Sequence, residues 1–260
     1  MKEYLPWYFP NSEMNEEIIK KLPTEVAMRT PSALLNFASG IYPQNSFRKV
    51  LNIETIVKNI NSIEISKKLS HLFNHYGSDK SSTHNYHLLY GSIFNYLEGC
   101  SSLLEIGLGS NNLSIASNMG KNGKPGASLY AFKDFLPNAN ICGADIDREI
   151  KVKDCEVFYI DQTKPESFEE IENNNRNKYD LIIDDGLHSP DANLFTLDFA
   201  LRNISPKGLI VIEDIPMDGR CLPIWMTVQY LLINSPYHGQ LFKTKSTFVF
   251  VCSKNYFILN

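Results

Sequence analysis

Between residues 102 and 212 the chain carries five short apolar runs, and every one of them closes on an acid or a glycine. Ser102–Ile106 leads into Gly107-Leu108-Gly109, and Ala139–Ile146 ends in Asp145 and Asp147. Val157–Ile160 closes on Asp161, Tyr179–Ile183 on Asp184-Asp185, and Gly208–Ile212 on Glu213-Asp214. Helical candidates lie between them at Ala127–Phe135, Lys164–Glu172 and Asp191–Ile204. Near-continuous apolar strands alternating with helices predict an α/β fold, a mostly parallel sheet with helices on both faces. Leu241–Phe242 and Phe248–Cys252 read as a closing antiparallel hairpin. In an open sheet of this kind the ligand crevice lies beyond the carboxyl ends of the strands. The five polar strand ends are therefore expected along one edge.

Residues 1–70 differ in texture. Apolar positions at helical spacing in Glu16–Leu22, Pro31–Ala38 and Ile53–Leu72 predict helices, with Pro23, Pro31 and Pro43 as breaks. Ile56, Ile60, Ile63 and Leu69 would form one helix face ending near Tyr76-Gly77. This stretch is expected to be a helical cap, lid or homo-oligomer contact, followed by a main domain over 71–260. At 43% hydrophobic residues the chain can bury a sizeable core.

Composition narrows the partners. A net charge of −4 offers no basic footprint to nucleic acid or to an anionic membrane. No apolar stretch approaches the roughly 20 residues that span a bilayer, and Met1–Pro6 lacks a signal-peptide core. Five cysteines, odd in number and never in C-x-x-C spacing, predict reduced thiols in a cytoplasmic protein.

Glycines directly after a strand let the backbone approach a ligand, because no Cβ intervenes. Gly107 and Gly109 could do this or could simply make a tight turn. Asn112 stands where a dinucleotide fingerprint needs its third glycine, which argues against a nicotinamide or flavin site. Asp145 or Asp147 could accept from ribose hydroxyls, and Asp161 or Gln162 could meet an adenine edge. That order describes an adenosyl site more than a phosphate cradle. Asp184-Asp185 and Glu213-Asp214 end strands that should be neighbours, about 4.8 Å apart. Carboxylates crowded in this way repel and raise one another's pKa. A divalent cation such as Mg²⁺ or Mn²⁺ would relieve them, as would pairing with Arg220 or Lys80. His188 lies three residues past Asp185, and an imidazole ordinarily titrates near neutrality.

Several strings resemble S-adenosylmethionine-dependent class I methyltransferases. More narrowly, they resemble the metal-dependent macrolide sugar O-methyltransferases, the mycinamicin and macrocin enzymes. The strings are Y-G-S-D-K (76–80), L-L-E-I-G-L-G (103–109), G-A-S-L-Y-A-F-K-D-F-L-P (126–137), G-A-D-I-D (143–147), D-Q-T (161–163), D-L-I-I-D-D-G-L-H (180–188) and V-I-E-D-I (211–215). The resemblance implies a Rossmann-like methyltransferase sheet and transfer of a methyl group to a hydroxyl of a sugar or glycosylated natural product. It implies Asp185, Glu213 and Asp214 as Mg²⁺ ligands, with His188 as general base beside Asp185. It implies an S-adenosylmethionine pocket lined by Tyr76, Ser78, Lys80, Glu105, Gly107, Gly109, Ser128, Asp145, Asp147, Asp161, Gln162 and Asp184. Leu187 and Ser110-Asn111-Asn112 depart from the pattern, where acceptor identity would be decided. Walls for the acceptor are expected from residues 1–70, 110–125 and 215–225. Two other readings fit the same residues: a methyltransferase of another vicinal diol such as a catechol, and a non-catalytic binding protein of the same fold.

Overall fold

A computed structural model describes residues 16–41, 49–57, 59–174 and 178–255. The elements, in chain order, are α1 (Glu16–Ile41), β1 (Leu51–Asn52), α2 (Ile60–Tyr76), α3 (Asp79–Ser82), α4 (Tyr86–Leu97), β2 (Ser102–Ile106), α5 (Ala127–Phe135), β3 (Asn140–Asp145), β4 (Glu156–Tyr159), α6 (Glu169–Asn174), β5 (Tyr179–Asp184), α7 (Pro190–Asn203), β6 (Ile204–Ile215), α8 (Cys221–Leu232), β7 (His238–Lys243) and β8 (Phe248–Ser253). The strands form one sheet in the order β1-β7-β8-β6-β5-β2-β3-β4. Only β8 runs antiparallel to its neighbours, pairing with β6 and β7. β7 therefore runs with the parallel strands, so half of the expected hairpin is antiparallel to the rest.

Period-two alternation sends each strand's side chains to two cores. Leu103, Leu181, Ile183, Leu209 and Val211 face α2, α4 and α5, and pack with Leu69, Phe73, Leu89, Tyr90 and Phe132. Leu104, Ile106, Ile182, Ile210 and Ile212 face the opposite way and pack with Phe199, Trp225 and Val228. Trp225 packs against Phe250 with ring centroids 4.9 Å apart and planes tilted by 40°, and is core. The same alternation governs the polar ends. Glu105 and Glu213 share the first face, and Asp184 sinks into the second.

Three expectations change. α1 runs unbroken through Pro23 and Pro31; each proline removes a single backbone bond, and α1 packs along α8, which holds the turns together. Pro43 lies outside the described residues. α2 starts at Ile60, which is exposed, and buries Ser62, Ser66, Leu69 and Phe73 rather than Ile60 and Ile63. It stops where Gly77 takes a left-handed φ of 82° and donates back to Phe73 and Asn74. The division expected at residue 70 falls inside α2, and Leu51–Asn52 pairs with β7. Leu51–Asn52 thus belongs to the same sheet as β2 to β8, and Ile53, Ile56, Leu69 and Phe73 to the same core.

Candidate active site

The carboxyl ends of β2 to β6 meet around a cavity of about 480 Å³, within the range of small-ligand sites. Gly107 makes the first turn possible. Its φ is 88°, and a Cβ there would lie 2.3 Å from the Asp185 carbonyl oxygen. The loop after it is anchored to β3, because Leu108 N donates to Asp145 Oδ2 at 2.7 Å. Burial raises the Asp145 carboxyl above its ordinary value, against the backbone bonds it accepts. At the end of β4, Asp161 is held low by Lys164, whose ammonium lies 2.6 Å away.

Of the expected cofactor set, Ser78, Gly107, Gly109, Ser128, Asp145, Asp161 and Gln162 line the cavity, together with Asp185, His188 and Asp214. Tyr76, Lys80, Glu105, Asp147 and Asp184 do not, and neither does Glu213 of the expected metal ligands. Tyr76 instead turns outward, donating to Asp134 and stacking on Tyr130. Asp147 accepts from the Ser110 hydroxyl and the Glu149 amide. Asp184, one residue out of phase with Asp185, points into the second core and accepts from Gln162 and Asn193. Of the three segments expected to wall an acceptor, only 110–125 reaches the cavity among the described residues, through Ile115–Met119 and Asn122–Lys124.

Beneath the cavity floor sits a buried ionic cluster. The Lys80 ammonium, on α3, contacts Glu213, lies 2.7 Å from Asp185 Oδ2 and 3.1 Å from Glu105 Oε1. Burial alone would drive off its proton; Asp185, Glu213 and Glu105 outweigh that and hold Lys80 well above the usual lysine range. Burial pushes Glu213 up in turn, against the pull of Lys80. Both shifts favour the protonated form, so Lys80 is held as the ammonium. Tyr90 donates to Glu213 Oε1 at 2.7 Å, and Ser128 to Glu105 Oε2 at 2.7 Å. The Lys80 pairing weighed from sequence is real, and it takes Glu213 off the cavity wall.

The remaining acid has its own support. Asp214 (φ 51°) accepts from the Tyr86 hydroxyl at 2.7 Å and lies 3.1 Å from His84 Nδ1. Burial lowers the His84 pKa, but Asp79 and Asp214 outweigh it and the net shift is upward. Sequence reasoning passed over His84, Tyr86 and Tyr90. Tyr86 and Tyr90 carry polar tips at i,i+4 spacing on the face of α4 that also holds Leu89, Ile93 and Phe94, and that was the available signal.

Asp185, His188 and Asp214 each offer one ligand atom, all within 4.8 Å of one another. His188 Nδ1 is buried and has no hydrogen-bond partner. The two carboxylates fit a divalent cation, with the imidazole beside them. Glu105, Asp185 and Glu213 are equally close, but there Lys80 supplies the positive charge.

No protein-family model and no curated protein matches the chain. Solved structures do. The MycE methyltransferase from the mycinamycin biosynthetic pathway, in complex with Mg, SAH and mycinamycin VI, aligns with TM-score 0.59 at 22% identity, over 72% of this chain and 53% of its own. A MycE crystal with Mg and SAH gives TM-score 0.57 at 22% identity, over 72% and 54%. The chain spans about half the length of these enzymes. By sheet order, single antiparallel strand and superposition, the chain has the Rossmann-like fold of the class I methyltransferases.

Proposed function

We propose that this chain is an S-adenosylmethionine-dependent O-methyltransferase that uses a divalent cation, Mg²⁺ or Mn²⁺, and acts on a hydroxyl of a sugar or glycosylated natural product. One observation carries the reading: a single cavity is lined by the glycine turn, by Asp145 and Asp161, and by Asp185, His188 and Asp214. The first three suit an adenosyl group. The second three suit a cation next to a proton acceptor. MycE holds Mg and SAH, and in one crystal mycinamycin VI, in a protein of this fold.

Asp185 and Asp214 are the residues that would hold the cation, with Glu213 acting through Lys80. The cation would supply Lewis acidity and offset the carboxylates that otherwise repel an alkoxide. His188, which lines the cavity, accepts the acceptor's proton. A hard cation prefers oxygen donors, which leaves the imidazole to the proton. The wall at 110–125 mixes Ile115 and Met119 with Ser117, Asn118 and Asn122, a surface suited to a glycoside with an apolar aglycone. No helix among the described residues is long and apolar enough to cross a membrane. The five free cysteines, four of them buried, suit a reducing cytoplasm.

Calorimetry with S-adenosylhomocysteine tests the reading. Affinity on the order of micromolar is expected, and Asp145→Ala should weaken it at least tenfold. No heat of binding from the unmodified protein would remove the methyltransferase assignment.

A further inference from the structure

Gln162 follows Asp161 at the end of β4, on the cofactor side of the cavity, yet its amide is committed elsewhere. Oε1 accepts from the Leu187 backbone N–H at 2.8 Å. Nε2 donates to Asp184 Oδ1 at 2.8 Å and to Thr196 Oγ1 at 2.9 Å. Both amide protons are used, so none remains to donate to an adenine edge. The residue is 7% exposed, and it touches the turn directly: a Cβ on Gly186 would stand 1.9 Å from Oε1. Asp184, its partner, accepts also from Asn193 Nδ2 at 3.0 Å and from Gly186 N at 3.2 Å.

On its other side, the same turn leans on β2. Asp185 N donates to Ile106 O at 2.7 Å, and Gly107 leaves room for the Asp185 carbonyl. Residues Asp185–His188 are thus gripped from two directions. The turn ends with His188 at φ 58°, a conformation that a residue other than glycine keeps only when its surroundings impose it. Gln is suited to this place because one planar amide must accept from an N–H and donate to a carboxylate and a hydroxyl together. Glutamate would face Asp184 as a second negative charge.

We propose that Gln162 is a positioning residue: through Leu187, Asp184 and Gly186 it sets the turn that presents Asp185 and His188. What the turn then does rests on the methyltransferase reading; the positioning itself does not. Three measurements on Gln162→Ala test it. Hydrogen exchange at the Leu187 amide should quicken at least tenfold, while exchange at Leu108, held by Asp145, stays unchanged. Mn²⁺ affinity should fall about tenfold, and S-adenosylhomocysteine affinity should stay within threefold. Gln162→Glu should do similar damage. If Gln162→Ala fails to fold, Thr196→Val removes one partner and should speed Leu187 exchange two- to threefold. A tenfold loss of S-adenosylhomocysteine affinity with Leu187 exchange unchanged would overturn the proposal and make Gln162 a cofactor contact. If the unmodified protein binds neither S-adenosylhomocysteine nor Mn²⁺, the functional reading falls, and Leu187 exchange still decides the positioning.

Discussion

His188 and Asp214 are two of five residues other than glycine with left-handed backbone among the described residues, and both sit at the cavity. Such conformations cost of order 1–3 kcal/mol and survive where neighbours over-determine them. The proposed roles make separable predictions. His188→Ala should lower kcat by about 10²–10⁴ and leave S-adenosylhomocysteine and Mn²⁺ affinities within a few fold. Turnover at a near-normal rate would pass the proton to water. Asp185 behaves differently, because burial raises its carboxyl from 3.8 to about 6, with Lys80 pulling the other way. A raised carboxyl folds best protonated, so its contribution is full below pH ~4 and is lost as pH rises through ~6. The loss amounts to about 3 kcal/mol at neutral pH. Cation-free Asp185→Asn should therefore melt higher than the unmodified protein at pH 7, with the gap closing by pH 4. Equal melting points at pH 7 would mean that Lys80 fully compensates the buried charge.

The parallel strands are legible in sequence because both faces of each are covered, so apolar runs coincide with elements: β2 and α5 start and stop where the pattern does. α8 was not legible. Its sequence C-L-P-I-W-M-T-V-Q-Y-L-L is apolar nearly all round and carries Pro223, so no helical stripe stands out. The face of α2 differs from the sequence expectation for a packing reason. Ser66 donates to the Ser62 carbonyl, and these small residues meet Gly91 on α4. Sequence patterns favour large apolar residues, whereas close helix contact here depends on small ones. Gly91→Ala decides which effect wins. Alanine gains about 1 kcal/mol of helix propensity, but its Cβ would stand 2.6 Å from the Ser62 carbonyl oxygen, backbone that cannot rotate away. Overpacking of roughly 1–3 kcal/mol should outweigh the gain and lower the melting temperature. Because α4 carries Tyr86 and Tyr90 to Asp214 and Glu213, Mn²⁺ affinity should fall too. An unchanged melting curve would show that α2 and α4 separate freely.

At the scale of the whole molecule, residues from Gly77 to Asp214 close one cavity, so ligand binding should couple to global unfolding. At a hundred times its dissociation constant, S-adenosylhomocysteine should add about 2.7 kcal/mol of stability. It should raise the melting temperature where NAD does not; equal shifts from both would point to a dinucleotide site. The polar strand ends, their convergence on one edge and the carboxylate crowd all arise from local pattern plus the geometry of parallel sheets, and so were available from the chain alone. Which acid faces which way was not. Asp184 and Asp185 are chemically alike and adjacent, and the pleat sends one to the α7 core and the other to the cavity. Lys80 lies 105 residues before Asp185, so only folding α3 beneath β5 and β6 turns Glu213 from a cavity acid into the partner of a buried ammonium. Sequence determines residue chemistry and the period of burial; the tertiary structure decides which charges become neighbours, because Coulomb energy depends on distances that chain separation does not encode.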